Sequence, residues 1–231
     1  MTVSITQSIA IIGGTGNLGP GLAGRFAAAG KTVIIGSRDA GKAEAAGATV
    51  IEHVGPAARV TGLSNADAAA AATCIVVTVP FAAVVDTLSP LAETLIGKTV
   101  ISAVVPLRFG SRGPETDSVA EGSAAEQIAA LLPGARITAA FQSVDASQLT
   151  RLDTPVVADV LICGDDVDAV ATTAELVALI PSLRPIHVGG LHLSRHVEGL
   201  TAVLISVNRR YKAHSGVQLT GVTIPSEAAK G

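Results

Sequence analysis

The sequence predicts an α/β protein, a doubly wound parallel Rossmann sheet with a smaller C-terminal α/β unit. Three observations lead there. Apolar strand runs alternate with helix-length segments through the first hundred residues, the pattern of right-handed parallel crossovers. The runs Ile75-Val76-Val77-Thr78-Val79 and Val100-Ile101 are continuously apolar, as strands covered on both faces are. A glycine-rich turn, Gly14-x-Gly16-x-x-Gly19, follows an apolar strand and opens a helix.

Strands are expected over 9–12, 32–36, 59–62, 74–79 and 99–103, separated by helices over 17–29, 39–46, 65–72 and 81–95. The first strand delivers the chain into the glycine turn. There one glycine permits the tight bend, one lets the backbone approach a pyrophosphate, and one lets the helix pack on the strand. The following helix points free N–H groups and the positive end of its dipole at those phosphates. This is a dinucleotide site, and the second strand says which dinucleotide. An NAD site ends that strand in Asp or Glu to bind the ribose 2′-hydroxyl. Here it ends in Ser37-Arg38, a hydroxyl and a guanidinium that suit a 2′-phosphate, with Lys42 one helical turn further on. Asp39 reads as the N-cap of the next helix. The cofactor predicted is NADP.

The fourth and fifth strands run into Val79-Pro80 and Val105-Pro106, and proline cannot continue a central ladder. Ligands in such folds lie at the carboxyl ends of strands, so Thr78, Val79, Pro80, Phe81, Val105 and Pro106 are candidates for a nicotinamide floor. Residues 107–122 read as a long polar loop carrying Arg108 and Arg112, either functional or a solvated insertion. Ser123-Ala-Ala-Glu126 is a capping box for a helix through Leu132, and 137–141 reads as a sixth strand. The smaller unit has strands over 156–163 and 185–188 and helices over 166–180 and 194–213. In the last helix Leu200, Val203, Leu204 and Val207 repeat at helical spacing, a stripe to be buried against the core or against a second subunit.

Composition narrows the function classes. Of 231 residues, 48% are hydrophobic, 15% charged and only 2% aromatic, with a net charge of −3. Small residues suit close helix–sheet packing, and neither a basic footprint nor aromatic platforms exist for nucleic acid. No apolar run reaches membrane-spanning length, and the start, Met1-Thr2-Val3-Ser4, lacks the basic region of a secretory leader. Cys74 and Cys163 sit at apolar strand positions and read as buried free thiols of a cytoplasmic protein. Asp165-Asp166-x-Asp168 reads as helix capping, and His192-x-x-x-His196 lacks a third ligand, so no metal site is expected. No G-x-S-x-G elbow or catalytic dyad is evident, which fits hydride transfer by positioning.

The sequence resembles one family along nearly its whole length, from Ile9 to Val222. The motifs are Gly-Gly-Thr-Gly-Asn-Leu-Gly at 13–19, Gly-Ser-Arg-x-x-x-Lys at 36–42, Thr-Val-Pro at 78–80 and Val-x-Pro at 104–106. Ser-Ala-Ala-Glu at 123–126, Cys-Gly-Asp-Asp at 163–166 and Leu-Arg-Pro at 183–185 complete the set. In order and spacing they are similar to those of the F420-dependent NADP reductases. That resemblance implies a homodimer with an NADP-binding Rossmann domain over 1–150 and a small domain over 151–231 that completes the substrate cleft and the dimer interface. It implies hydride exchange between NADP and the deazaflavin coenzyme F420. Carried over by position, Gly14, Thr15, Gly16, Asn17, Leu18, Gly19, Ser37, Arg38 and Lys42 hold the adenosine phosphates. Val79, Val105 and Ala146 border the nicotinamide half, beside Thr78 and Pro80. Where members resemble His-Thr-Ile-Pro-Ala over the deazaflavin, this chain has Gln142, Ser143, Val144, Asp145 and Ala146. The amide of Gln142 can take the place of a histidine against the ring's polar edge, and Arg108 or Arg112 is expected to screen the anionic tail. The residues alone also leave open a reductase of another acceptor (imine, carbonyl or flavin) or an NADP-binding protein without turnover.

Overall fold

A computed structural model describes residues 8–223. The start at Met1, Thr2, Val3 and Ser4, read above for a leader, lies outside the described residues. In chain order the strands are β1 (Ser8–Ile12), β2 (Thr32–Ser37), β3 (Arg59–Ser64), β4 (Cys74–Val77), β5 (Thr99–Ser102), β6 (Leu107–Gly110), β7 (Gly113–Thr116), β8 (Arg136–Ala139), β9 (Ala158–Gly164) and β10 (Leu183–Gly189). The helices are α1 (Gly19–Ala28), α2 (Ala40–Val54), α3 (Asn65–Ala71), α4 (Val84–Leu88), α5 (Ala124–Leu131), α6 (Ala146–Leu149), α7 (Val167–Ala178) and α8 (Ser194–Tyr211).

Eight strands form one sheet in the order β10-β9-β8-β5-β4-β1-β2-β3. β1 shows why. Ile9, Ala10, Ile11 and Ile12 are all fully buried, with Ile9 and Ile11 in one core layer and Ala10 and Ile12 in the other. A strand covered on both faces needs helices on both sides, and right-handed crossovers supply them. Strand neighbours run parallel except β8 and β9, which pair antiparallel. The C-terminal α/β unit therefore extends the main sheet, its two strands reversed. The caps expected at Asp39, Ser123 and Asp166 are made, each side chain accepting the amide three residues on. Cys74 and Cys163 are buried free thiols. Among the described residues no helix is long and apolar enough to cross a membrane.

Three expectations are corrected. The segment 81–95 is not one helix. α4 spans only Val84–Leu88 between 3-10 turns, because Pro90 has no amide to give and its ring crowds the preceding turn. The loop over 107–122 contains an antiparallel hairpin, β6 on β7, closed by Gly113 at φ 114°. The hairpin leans on α8, where the Arg209 guanidinium stands 4.9 Å from the centre of the Phe109 ring. Of the two places expected for the stripe Leu200, Val203, Leu204, Val207, full burial against the chain's own core is not found: three of the four are only partly covered. Val203 is 55% exposed, and α8 buries Ser194, Val197, Glu198 and Ala202 instead. Glu198 is spent on α5, its carboxylate accepting the Ala124 and Ala125 amides at 2.9 and 3.0 Å. Burial pushes that carboxyl up to about 7 against the pull of the two amides.

Candidate functional site

The glycine turn is built from constraints that can be separated residue by residue. Gly13 takes φ 73°, a conformation that favours glycine. The Gly14 amide donates to the carbonyls of Ile11 and Gly36 at 3.2 and 2.9 Å, tying the turn to the end of β2. A Cβ on Gly14 would stand 2.7 Å from the Ile11 carbonyl, and one on Gly19 would run into the Gly14 carbonyl. Gly16 differs. Its nearest obstacles, the carbonyls of Gly13 and Thr78, lie at 3.5 and 3.9 Å, ordinary contact distances. Protein packing thus demands Gly13, Gly14 and Gly19, while the bare backbone at Gly16 leaves room for something lying over the turn.

The helix after the turn is open at the same place. At its N-cap Leu18 offers no side-chain oxygen and Pro20 sits in the first turn, whereas α2, α3, α5 and α7 are capped by side chains. A cleft of about 220 Å³ gathers Thr15 and Gly16 of the turn, Ser37, Arg38 and Lys42, and Val79 and Pro80 beyond β4. Asp39 gives its carboxylate to the Lys42 amide at 3.2 Å, so the acid beside Arg38 is spent on its own helix. Among the described residues neither Arg38 nor Lys42 is in an ion pair. Two free cations, a hydroxyl and an uncapped helix end suit a dinucleotide bearing an extra phosphate. Thr78 binds the Ile12 carbonyl through both its amide and its hydroxyl, which holds the floor of this cleft to β1.

The segment after β8 forms a second cleft. Phe141 turns the chain at φ 73° and packs edge-on against Phe26 of α1. Gln142, Ser143, Val144, Asp145 and Ala146 then face Thr201, Leu204, Ile205 and Asn208 of α8 across about 240 Å³. Gln142 donates through Nε2 to the Ser102 carbonyl at 3.0 Å, and its own backbone carbonyl accepts the Thr201 hydroxyl at 2.9 Å. Asp145 caps α6. Burial raises its pKa, but hydrogen bonds from Ser147 and His214 outweigh that and hold the carboxyl below the usual carboxylate range. Val105 lies beyond β5 and lines neither cleft. Arg108 and Arg112 also stand apart, on the hairpin. Arg108 pairs with Glu115 at 2.5 Å and Asp117 at 2.6 Å, and Arg112 reaches Glu115 at 3.4 Å.

Two residues of the site escaped the sequence reading. Asn65, at the start of α3, lines the first cleft and accepts the Gly13 amide through Oδ1 at 3.2 Å. The Ser64-Asn65 pair closing a strand was the available signal. Arg25 is buried on α1 and donates to the carbonyls of Gln148, Leu149, Arg151, Leu152 and Thr154. Nothing in the sequence marks it, because all its partners lie more than a hundred residues away.

A family model described as NADP oxidoreductase, coenzyme F420-dependent, matches residues 8–106. An F420-dependent NADP reductase of Methanothermobacter thermautotrophicus is 41% identical over 224 residues, covering 94% of this chain and 97% of its own. Another, from Methanocaldococcus jannaschii, is 37% identical over 94% of this chain and 100% of its own. A crystal structure from Arthrobacter sp. fb24, provisionally described as an F420-dependent NADP reductase, superposes with a TM-score of 0.78 at 27% identity, covering 93% of this chain and 99% of that one. A reductive aminase of Aspergillus terreus shares the fold, with a TM-score of 0.61 at 21% identity over 90% of this chain and 63% of that one.

The glycines make a testable contrast. Gly16→Ala is expected to keep the melting temperature within about 3 °C of the parent and to weaken dinucleotide binding at least about tenfold. Gly19→Ala is expected to lower the melting temperature well beyond that. Thermal melts and a fluorescence titration check both, and full binding by Gly16→Ala would contradict the reading of the turn.

Proposed function

This chain belongs to the F420-dependent NADP reductases, and from that premise we propose that it exchanges a hydride between NADP(H) and coenzyme F420. The observation that supports this most is the pairing of two clefts. One is cationic and backs onto the glycine turn, and the other is a largely neutral groove between 142–146 and α8. In the first, the backbone of Gly14, Thr15, Gly16, Asn17, Leu18 and Gly19 receives the pyrophosphate at the open end of α1. Ser37, Arg38 and Lys42 take the 2′-phosphate, with bidentate geometry available to Arg38. Val79 and Pro80, held to β1 by Thr78, form the floor under the nicotinamide, and Ala146 borders it; Val105, outside both linings, is left without a contact there.

Gln142, Ser143, Val144 and Asp145 bear on the deazaflavin. Of the two hairpin arginines, Arg112 is the freer to screen its anionic tail. Its side chain is 87% exposed and makes one long contact, whereas Arg108 is held by two acids. Such an exposed contact is weak and salt-sensitive. The coenzymes supply the redox chemistry, a hydride carried by reduced nicotinamide and accepted by the deazaflavin ring. The residues of the chain bind, orient and shield, and no side chain is asked to move a proton.

We assign residues 1–150 to NADP binding and 151–231 to completing the cleft and a homodimer interface. The stripe on α8, with Val203 at 55% exposure and its other members partly covered, together with Phe109 of the hairpin at 59%, supports the dimer. The free buried thiols of Cys74 and Cys163 suit the cytoplasm.

Mixing the protein with NADPH and F420 is expected to remove the deazaflavin absorbance, and NADPH binding without that loss would overturn the assignment. Arg38→Ala is expected to weaken NADPH about ten- to hundredfold, the loss of roughly 1.5–3 kcal/mol from one charge-assisted contact, and to leave NADH nearly unchanged. Equal loss for both coenzymes would contradict the 2′-phosphate role. Sedimentation at micromolar concentration is expected to show a dimer, and a monomer would remove that proposal.

A further inference from the structure

After α8 the chain doubles back as a strap along the second cleft. Lys212 reverses it in a left-handed conformation, φ 50°. The residues that follow are pinned at successive points. The amide and hydroxyl of Ser215 both donate to Asn208 Oδ1 of α8, at 2.7 and 2.6 Å. Gln148 Nε2 donates to the His214 carbonyl at 2.7 Å, the Asp159 amide to the Val217 carbonyl at 2.7 Å, and the Leu219 amide to Asp159 Oδ2 at 2.6 Å. Between these pins His214 Nδ1 lies 2.7 Å from Asp145 Oδ2 and 3.1 Å from Ser147 Oγ. One carboxylate is thus shared by α6, which it caps, and by the strap.

The strap forms part of the cleft wall through Ser215. Across from it stands Gln142, only 6% exposed. Its Nε2 is committed to the Ser102 carbonyl, which fixes the orientation of the amide, and among the described residues its buried Oε1 meets no donor. A buried acceptor left without a donor is costly, so one in a cleft wall asks for a donor from a ligand. The ring of a deazaflavin carries a uracil-type edge with an imide N–H, which is such a donor. Asp145, ionised and in the same lining, repels phosphate and carboxylate, so the anionic tail of the coenzyme is expected to lie away from it.

We propose that His214 is a positioning residue for the second coenzyme. By holding Asp145 it latches the strap onto 142–146 and keeps the Gln142 side-chain carbonyl where the ring N–H donates to it. The proposal rests on the assignment of this cleft to F420. It explains why this chain carries an acid at 145 in a site for an anionic coenzyme. Paired with His214 and turned into the α6 cap, Asp145 is a structural hinge point and does not sit unpaired under the ring.

The test compares the full chain with His214→Ala and His214→Asn, whose amide restores a donor near the position of Nδ1. Two things are measured: KM for F420 and for NADPH separately, and hydrogen–deuterium exchange of residues 142–149 and 212–219 in the ligand-free protein. His214→Ala is expected to raise KM for F420 about tenfold, as the strap loosens and the Gln142 carbonyl loses its fixed place. KM for NADPH is expected to stay within about twofold, while exchange speeds up in both segments and His214→Asn recovers most of the F420 affinity. Faster exchange with an unchanged KM for F420 would overturn the proposal by making the strap purely structural. A parallel rise in both KM values would overturn it as a general loosening. Absence of F420 turnover in the parent protein would instead strike at the assignment of the cleft.

Discussion

Arg25 lies on the inner face of α1, 4% exposed, and its guanidinium donates to main-chain carbonyls of Gln148, Leu149, Arg151, Leu152 and Thr154. Burial lowers its pKa and the nearby Asp153 carboxylate works the other way. A guanidinium presents its five N–H groups in a rigid planar fork, so it can organise an irregular segment that has no ladder of its own. The same helix that opens the glycine turn therefore also fixes 145–154, and with it the wall of the second cleft. Close approach reinforces the joint. A Cβ on Gly21 of α1 would stand 2.7 Å from the Leu149 Cβ, and Phe141 stacks edge-on against Phe26 of the same helix. Removing the Arg25 side chain would leave the buried Leu149 carbonyl without a donor, at a cost of about 1–3 kcal/mol, and would strip four part-buried carbonyls of theirs. The register between the two clefts would loosen before the sheet did.

Function follows from how polar groups are spent. Most acids near the clefts are already committed: Asp39 to the α2 cap, Asp145 to α6 and His214, Glu198 to the α5 amides. What remains uncommitted is the open end of α1, Arg38 and Lys42 on one side, and the Gln142 side-chain carbonyl on the other. Those are the groups a phosphorylated dinucleotide and a ring with an N–H edge would use. A hydride passing between two held rings needs position more than proton transfer from the protein.

Much of this was legible in the sequence where local rules decide the outcome. β1, β4 and β5 are buried on both faces, so they carry the apolar runs 9–12, Cys74–Val77 and Val100-Ile101. Gly14, Gly16 and Gly19 and the caps at Asp39, Ser123 and Asp166 are each read from spacing alone. The hairpin of β6 and β7 was not legible, because it is short, exposed and supported by α8 instead of by its own alternation. The reversal of β9 against β8 is set by sheet pairing, not by any residue type. Arg25 and Asn65 act through partners distant in sequence, and the stripe on α8 was read for periodicity when its exposed side carries the information. The residues of 142–146 do come together in one lining, but their side-chain contacts run to Ser102, Thr201 and His214, which only the folded chain brings near.

The central claim is that the fold holds two coenzymes face to face between the ends of β4 and β5 and the segment 142–146. The most direct test is a crystal structure of the protein with NADP and F420 both bound. The account predicts the nicotinamide over Val79 and Pro80, the deazaflavin against Gln142 and Ala146, and the reacting carbons about 3–3.5 Å apart. A deazaflavin bound away from 142–146, or no room for one beside the nicotinamide, would contradict it.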